Sequence, residues 1–270
     1  MIITNLTDIG VNLLSPAFNR DREEILARAE AVGVKTLIIT GSSLDNSAEV
    51  LNYVKNHFNC YSTAGVHPHN AKDWNAQALI RLGEIISCGL PGHIVAAGEC
   101  GLDYNRNYSS QDAQRKCFEE QLAFAAKIKL PVFLHERDAF PDFYSLLKKY
   151  RRDLSGVVVH CFTGTAEELN AYLALDCYIG ITGWLCDERR GGHLIPLLRH
   201  IPEDRLLLET DAPYLLPRHI RVKSGRNEPC FLPYIASFAA QILGKTPALL
   251  AEQTSANAMR LFRFYAVQAK

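Results

Sequence analysis

The chain has 270 residues, with 29 basic and 29 acidic side chains, so its formal net charge is zero and a polybasic binder working by bulk attraction to nucleic acid is excluded. Hydrophobic residues make up 48% and charged residues 21%, as in an ordinary globular protein, and no window holds the ~18 uninterrupted apolar residues of a membrane helix. The start, Met1-Ile2-Ile3-Thr4-Asn5, has no basic stretch leading into an apolar core, and none of the eight cysteines forms a Cys-x-x-Cys pair; both features read as a cytoplasmic chain without a disulfide or zinc-ribbon framework.

Apolar, β-rich runs alternate with helical stretches from end to end. Strands are predicted at Asn5–Gly10, Val34–Gly41, Cys60–Val66, Ile94–Gly98, Val132–His135, Val157–His160, Tyr178–Gly183 and Leu206–Glu209. Arg20–Val32 places Ile25, Ala29 and Val32 on one helical face, and Gln111–Lys129 does the same with Phe118, Leu122, Ala125 and Ile128. Shorter helices are predicted at Phe140–Tyr150, Ala166–Leu175 and Gly192–His200, and two more after Phe231, broken near Gly244-Lys245-Thr246-Pro247. Near-continuous apolar strands suit a parallel sheet covered by helices, and eight strand–helix units predict an α/β fold of the (β/α)8 TIM-barrel class, with 1–270 as a single domain.

In such a fold the chemistry sits at the carboxyl ends of the strands. Those ends carry Asp8 and Asn12, His67 and His69, Glu99, His135, His160, Trp184, and Glu209 with Asp211, whereas the strand starts (Lys35, Pro131, Gly156, Arg205) are bland. Glu99 lies between Gly98 and Gly101, where the apolar run Val95-Ala96-Ala97 is expected to turn out of its strand. A buried lone carboxylate is costly unless paired or holding a metal. His135 and His160 end successive strands, which in a parallel sheet lie ~4.8 Å apart and can converge on one ion. Asp211, after the last strand, is then a further ligand or a general base. His67 and His69, held by Pro68, can reach a substrate phosphate or the metal. Arg189 and Arg226, in loops after the last two strands, are candidate phosphate contacts, and Tyr104, Tyr108, Phe162, Trp184 and Tyr214 can stack on bases. By contrast, Lys148-Lys149-Tyr150-Arg151-Arg152 ends a helix and reads as structural.

The stretches Gly65-Val66-His67-Pro68-His69, Gly98-Glu99-Cys100-Gly101-Leu102-Asp103-Tyr104, His135-Glu136-Arg137-Asp138-Ala139, His160-Cys161-Phe162-Thr163-Gly164, Glu209-Thr210-Asp211-Ala212-Pro213-Tyr214-Leu215 and Arg226-Asn227-Glu228-Pro229 resemble the TatD family of metal-dependent deoxyribonucleases, in order and across nearly the whole chain. The resemblance implies an amidohydrolase-like barrel that cleaves nucleic-acid phosphodiesters. It implies metal ligation by Glu99, His135, His160 and Asp211, catalysis by Asp211, and His67 and Arg137 near the substrate phosphate. Many relatives end the first strand with His-x-His; here Gly10 and Asn12 stand at those places. That is similar to the TatD branch proper, which implies a Mg2+-dependent 3′→5′ exonuclease on single-stranded DNA and RNA with a role in repair of oxidised DNA. Imidazole ligands by themselves favour Mn2+, Zn2+ or Co2+.

Two other readings stand beside this one. A hydrolase of small amides, lactones or phosphotriesters would be marked by His-x-His on the first strand or a lysine near the fourth or fifth; Val132–His135 has none. A noncatalytic nucleic-acid-binding barrel would bind without turnover. No amphipathic face stands out as an oligomer interface, so the chain reads as a monomer.

Overall fold

The computed structural model describes residues 5–264. Eight strands form one sheet in chain order: β1 (Leu6–Val11), β2 (Val34–Ile39), β3 (Cys60–Ala64), β4 (Ile94–Asp103), β5 (Val132–Arg137), β6 (Val157–Val159), β7 (Tyr178–Ile181) and β8 (Leu206–Leu208). Nine α-helices are described: α1 (Arg22–Ala31), α2 (Leu44–Val54), α3 (Ala76–Gly89), α4 (Gln111–Ile128), α5 (Phe140–Tyr150), α6 (Ala166–Ala174), α7 (Leu194–Leu198), α8 (Leu232–Leu243) and α9 (Pro247–Phe262). Strand and helix alternate, and the sequential strand order is the connectivity of the (β/α)8 fold. Among the described residues no helix is long and apolar enough to cross a membrane.

The chain divides into two compact units. The first comprises residues 5–39, 161–169 and 178–264. In it β1 pairs in parallel with β2, and β7 with β8. The end of β8 returns to β1: Asp211 N donates to Gly10 O at 2.8 Å and Asn12 N to Ala212 O at 2.7 Å. Asp8, fully buried in β1, accepts from Thr210 N at 2.9 Å and lies 2.5 Å from Thr210 Oγ1. Helix α8 ends on Gly244, whose φ of +68° suits glycine, and α9 starts at Pro247 behind the Thr246 cap, so the break expected near Gly244–Pro247 is made by this pair of signals.

The second unit comprises residues 40–160 and 170–177. It holds β3 to β6, with β4 pairing in parallel with both β3 and β5 and β5 with β6. Helix α4 buries Phe118, Leu122 and Ala125 as its periodicity predicts, and Phe118 stacks on Phe143 of α5 at 5.1 Å. The same face also buries two glutamines. Gln121 accepts from Val66 N at 2.9 Å and donates to Val66 O at 3.0 Å; Gln114 accepts from Asp103 N at 2.8 Å and donates to Asp103 O at 3.0 Å. One helix thus satisfies the backbone at the ends of two strands, where the ladder no longer does.

Several boundaries differ from the expected ones. β4 does not turn out at Gly98. It runs on to Asp103, with one extra residue relative to β5 between Ala97 and Cys100, a bulge that holds Gly98 and Glu99. α1 stops at Ala31, so Val32 is 38% exposed rather than part of the buried face, and Ile128 is only half-buried. The stretch Gly192–His200 yields only Leu194–Leu198, with Gly191 and Gly192 preceding it and Pro196 in its first turn. Helices α2 and α3 are not among the expected ones, although both carry a buried face at helical spacing, Val50, Leu51 and Val54 in one and Leu82, Ile85 and Ile86 in the other, behind side-chain caps: Ser43 accepts from Asn46 N and Asn75 from Ala78 N. All eight cysteines are free thiols, five of them buried.

Gln121→Ala would leave two buried backbone groups unsatisfied and is expected to cost about 2 kcal/mol in urea unfolding; an unchanged midpoint would contradict the assignment. Burial pushes the Asp8 carboxyl from 3.8 up to about 7, against the hydrogen bonds from Thr210. A raised folded pKa stabilises fully below the unfolded value and is lost as pH rises through the folded one. The stability of Asp8→Asn relative to the parent chain should therefore rise between pH 4 and pH 7, as read by thermal unfolding at each pH.

Candidate metal centre

The centre is assembled in the second unit by two glycines that let backbones come close. At Gly98 (φ +134°) a Cβ would lie 2.2 Å from Phe133 O, and at Gly101 (φ +152°) 1.8 Å from His135 O, so only glycine allows β4 to press against β5 here. Between them the bulge turns the Glu99 side chain inward.

Three imidazoles meet one oxygen of that side chain. His160 Nε2 lies 2.8 Å from Glu99 Oε1, His135 Nδ1 2.9 Å and His67 Nε2 3.4 Å. Glu99 is 6% exposed. Burial alone would raise its pKa, but the facing imidazoles of His67, His160 and His135 outweigh burial and hold the carboxyl well below the usual range. Asp103, two strand pleats further along β4, makes a second acceptor: its Oδ2 lies 2.6 Å from His69 Nε2 and 3.7 Å from His135 Nε2, while its Oδ1 accepts from the backbone of Asn105 and Arg106. Burial is again outweighed, here by His135 and His69, and Asp103 stays ionised. His135 feels the same balance from the other side: burial disfavours its charge, and Asp103 and Glu99 more than restore it. His67 is pushed down to about 4, chiefly by burial, and is neutral at pH 7.

Donor atoms of His67, Glu99 and His135 lie within 4.8 Å of one another, close enough to share a metal ion. A mixed set of imidazole nitrogens and a carboxylate oxygen fits a divalent cation. His135 Nε2 fits too: it is buried and, among the described residues, makes no hydrogen bond and has only the Asp103 carboxylate nearby, 3.7 Å away, a state that a ligand would relieve. His67 differs. Its Nδ1 accepts from His69 N at 3.1 Å, so its proton sits on Nε2 and that nitrogen donates toward Glu99. As held here, His67 offers an N–H rather than a lone pair.

The remaining candidates are placed as follows. Arg137 ends β5 and its Nε lies 3.8 Å from Asp138 Oδ2. Asp211, Arg189 and Arg226 belong to the first unit. Asp211 has φ +53°, and its Oδ1 accepts from Asn12 Nδ2 at 3.0 Å. Arg189 forks onto Asp187 at 3.0 and 2.9 Å. Arg226, expected on substrate, is spent inside the fold: it bonds both oxygens of Asp21 and one of Glu228, and lies over the Phe18 ring at 4.9 Å. Those bonds, led by Arg226, lower Asp21 to about 2. Of the expected rim aromatics, Phe162 is buried, while Tyr108 and Tyr214 are exposed.

Asp103 escapes a reading that ends the strand at Gly98. Glu99, Gly101 and Asp103 alternate onto one face only once the strand continues, which its pairing with β5 decides.

Residues 7–263 match the family model described as TatD related DNase. The chain belongs to the TatD family. Among relatives of this family, the 3′-5′ ssDNA/RNA exonuclease TatD of Cronobacter sakazakii is 51% identical over 257 residues, covering 94% of this chain and 97% of that protein. The protein of the same name from Pectobacterium parmentieri is 49% identical, covering 95% and 98%. Among solved structures, YJJV, a TatD homologue from Escherichia coli, superposes with a TM-score of 0.88 at 27% identity, covering 98% of this chain and all of that one. An uncharacterized amidohydrolase from Saccharomyces cerevisiae gives 0.86 at 25% identity, covering 96% and 100%. The TatD fold and a nuclease's hydrolytic activity thus hold for this chain.

Mn2+ titrated into EDTA-stripped protein, with free ion read by electron paramagnetic resonance, should bind about 100-fold more weakly to Glu99→Ala. His67→Gln keeps an N–H donor and should stay within about tenfold of the parent. An equal loss in both variants would show His67 to be a ligand after all.

Proposed function

We propose that the chain is a divalent-metal-dependent exonuclease that removes nucleotides from the 3′ end of single-stranded DNA and RNA. The observation that carries this reading is the convergence of His67, His135 and His160 on one ionised oxygen of Glu99 in a TatD-family chain. The names of relatives about half identical over nearly the full length support the polarity and the substrate.

Glu99, His135 and His160 would hold the ion, with Asp211 joining them as the family motif implies. We take the ion as Mg2+, with Mn2+ next, since the carboxylates supply the hard oxygens Mg2+ requires. When bound, the ion supplies Lewis acidity toward a phosphodiester oxygen. Every other task falls to the chain. Glu99 stays charged and matches the cation. His67, neutral with its proton on Nε2, donates to a phosphate oxygen. His69, anchored on Asp103, and Arg137 at the end of β5 add positive charge or donors where phosphate charge grows. Asp211, its carboxylate oriented by the Asn12 amide, accepts the proton of the attacking water. Arg189 keeps an exposed guanidinium edge for the strand. The free cysteines suit a reducing, cytoplasmic compartment, and we take the chain as a monomer.

A 5′-labelled single-stranded oligonucleotide, incubated with EDTA-stripped protein and then Mg2+ or Mn2+, should give a ladder shortening from the 3′ end only with metal. Asp211→Asn should lower kcat by about 100-fold or more with little change in KM. Absence of cleavage of DNA and RNA with every metal would redirect the search to small esters and amides.

A further inference from the structure

The second unit holds a cavity of about 500 Å3 beside the segment that carries His67 and His69. That volume is in the range of small-ligand sites, roughly 300–1,000 Å3. Leu44, Val66 and Trp74 give it apolar walls, and Asn70, Asp73 and Gln77 a polar rim. Val66 and Asn70, which bracket His67-Pro68-His69 in the chain, line the cavity, and His67 turns toward Glu99. The wall is rigid. His67 N and Asn70 Nδ2 both donate to Ser42 O, at 3.0 and 2.9 Å; Gln121 holds both backbone groups of Val66; Trp74 Nε1 donates to Glu120 at 2.9 Å.

The polar rim offers uncommitted acceptors. Asn70 gives one Nδ2 proton to Ser42 O and leaves Oδ1 to accept. Among the described residues the Asp73 carboxylate has no partner, and the Gln77 amide, donor and acceptor alike, is equally uncommitted. The one cation at the cavity, Arg81, is paired with Asp45. A phosphate would meet acceptors and a neutralised arginine. A flat group with apolar faces and N–H groups at its edge meets what it needs.

We propose that this cavity is a nucleobase subsite of the nuclease, taking the base next to the phosphate bound at the Glu99 cluster, and that it favours bases with an exocyclic amino group over thymine and uracil. Cytosine, adenine and guanine can donate an amino N–H to Asp73 or Asn70, whereas thymine and uracil offer a single ring N–H between two carbonyls. The inference rests on the nuclease reading above.

The test measures fluorescence anisotropy of labelled dC and dT octamers with EDTA-stripped protein, where no turnover intrudes. The parent chain should bind dC about tenfold tighter than dT, and Asp73→Asn should bring the two within about twofold. Asp73 is exposed, so this variant keeps the fold. Ala78→Trp, on the half-exposed start of α3 where it lines the cavity, should weaken dC binding by about tenfold as the space fills. Equal binding of dC and dT by the parent, or unaltered dC preference in Asp73→Asn, overturns the subsite. A metal-dependent ladder alongside either of those results leaves the nuclease reading intact. No ladder with any metal overturns that reading and the subsite together.

Discussion

Glu99 carries a negative charge at a place with almost no access to water, and the second unit is arranged around the cost of keeping it there. Moving an isolated carboxylate out of water costs several kcal/mol, more than any single neighbour at these distances returns. Three imidazoles on one oxygen change the sign of that balance. Each of them must then be supplied with something for its other nitrogen. His67 takes the His69 amide, His135 stands near Asp103, and Asp103 in turn leans on His69 and two backbone amides. The result is a short chain of alternating acids and imidazoles in which a change at one member is felt by all, so the residues are better regarded as one titrating unit than as separate groups.

Backbone geometry decides where that unit can exist. The bulge at Gly98 and Glu99 adds a residue to β4 without breaking its pairing with β5, and the close approaches at Gly98 and Gly101 leave no room for a side chain. The strand can therefore carry two inward acids, Glu99 and Asp103, along a single run. The first unit solves a different problem by similar means: Asp8 ties Thr210 to β1, and Asn12 reaches the carboxylate of Asp211. At the end of the first strand stand Gly10 and Asn12, and the Asn12 amide is occupied with orienting a carboxylate.

Much of this was legible from residue order. Eight apolar runs alternating with helical stretches define the connectivity, and Glu99, His135 and His160 stand out because each closes such a run with a side chain that a core does not tolerate alone. What stayed hidden has physical reasons. A glycine pair normally ends a strand, so the continuation of β4 to Asp103, which depends on contact with β5, is not visible locally. Gln114 and Gln121 look like exposed positions of a helix until the strand ends they serve are in place. Arg226 sits in a loop rich in basic residues, and nothing nearby in sequence announces Asp21, some two hundred positions away.

Helix α4 holds Val66, next to His67, with Gln121 and holds Asp103 with Gln114. Two strand ends that are far apart in sequence are therefore clamped by one rigid body, seven residues apart on one face. Motion at the two ends is mechanically linked: a fluctuation that tilts or frays α4 releases an imidazole and an acid in the same event, and neither can loosen alone while the helix stays seated. The amide protons of Val66 and Asp103 belong, on this view, to one cooperative opening unit whose lifetime is set by the helix.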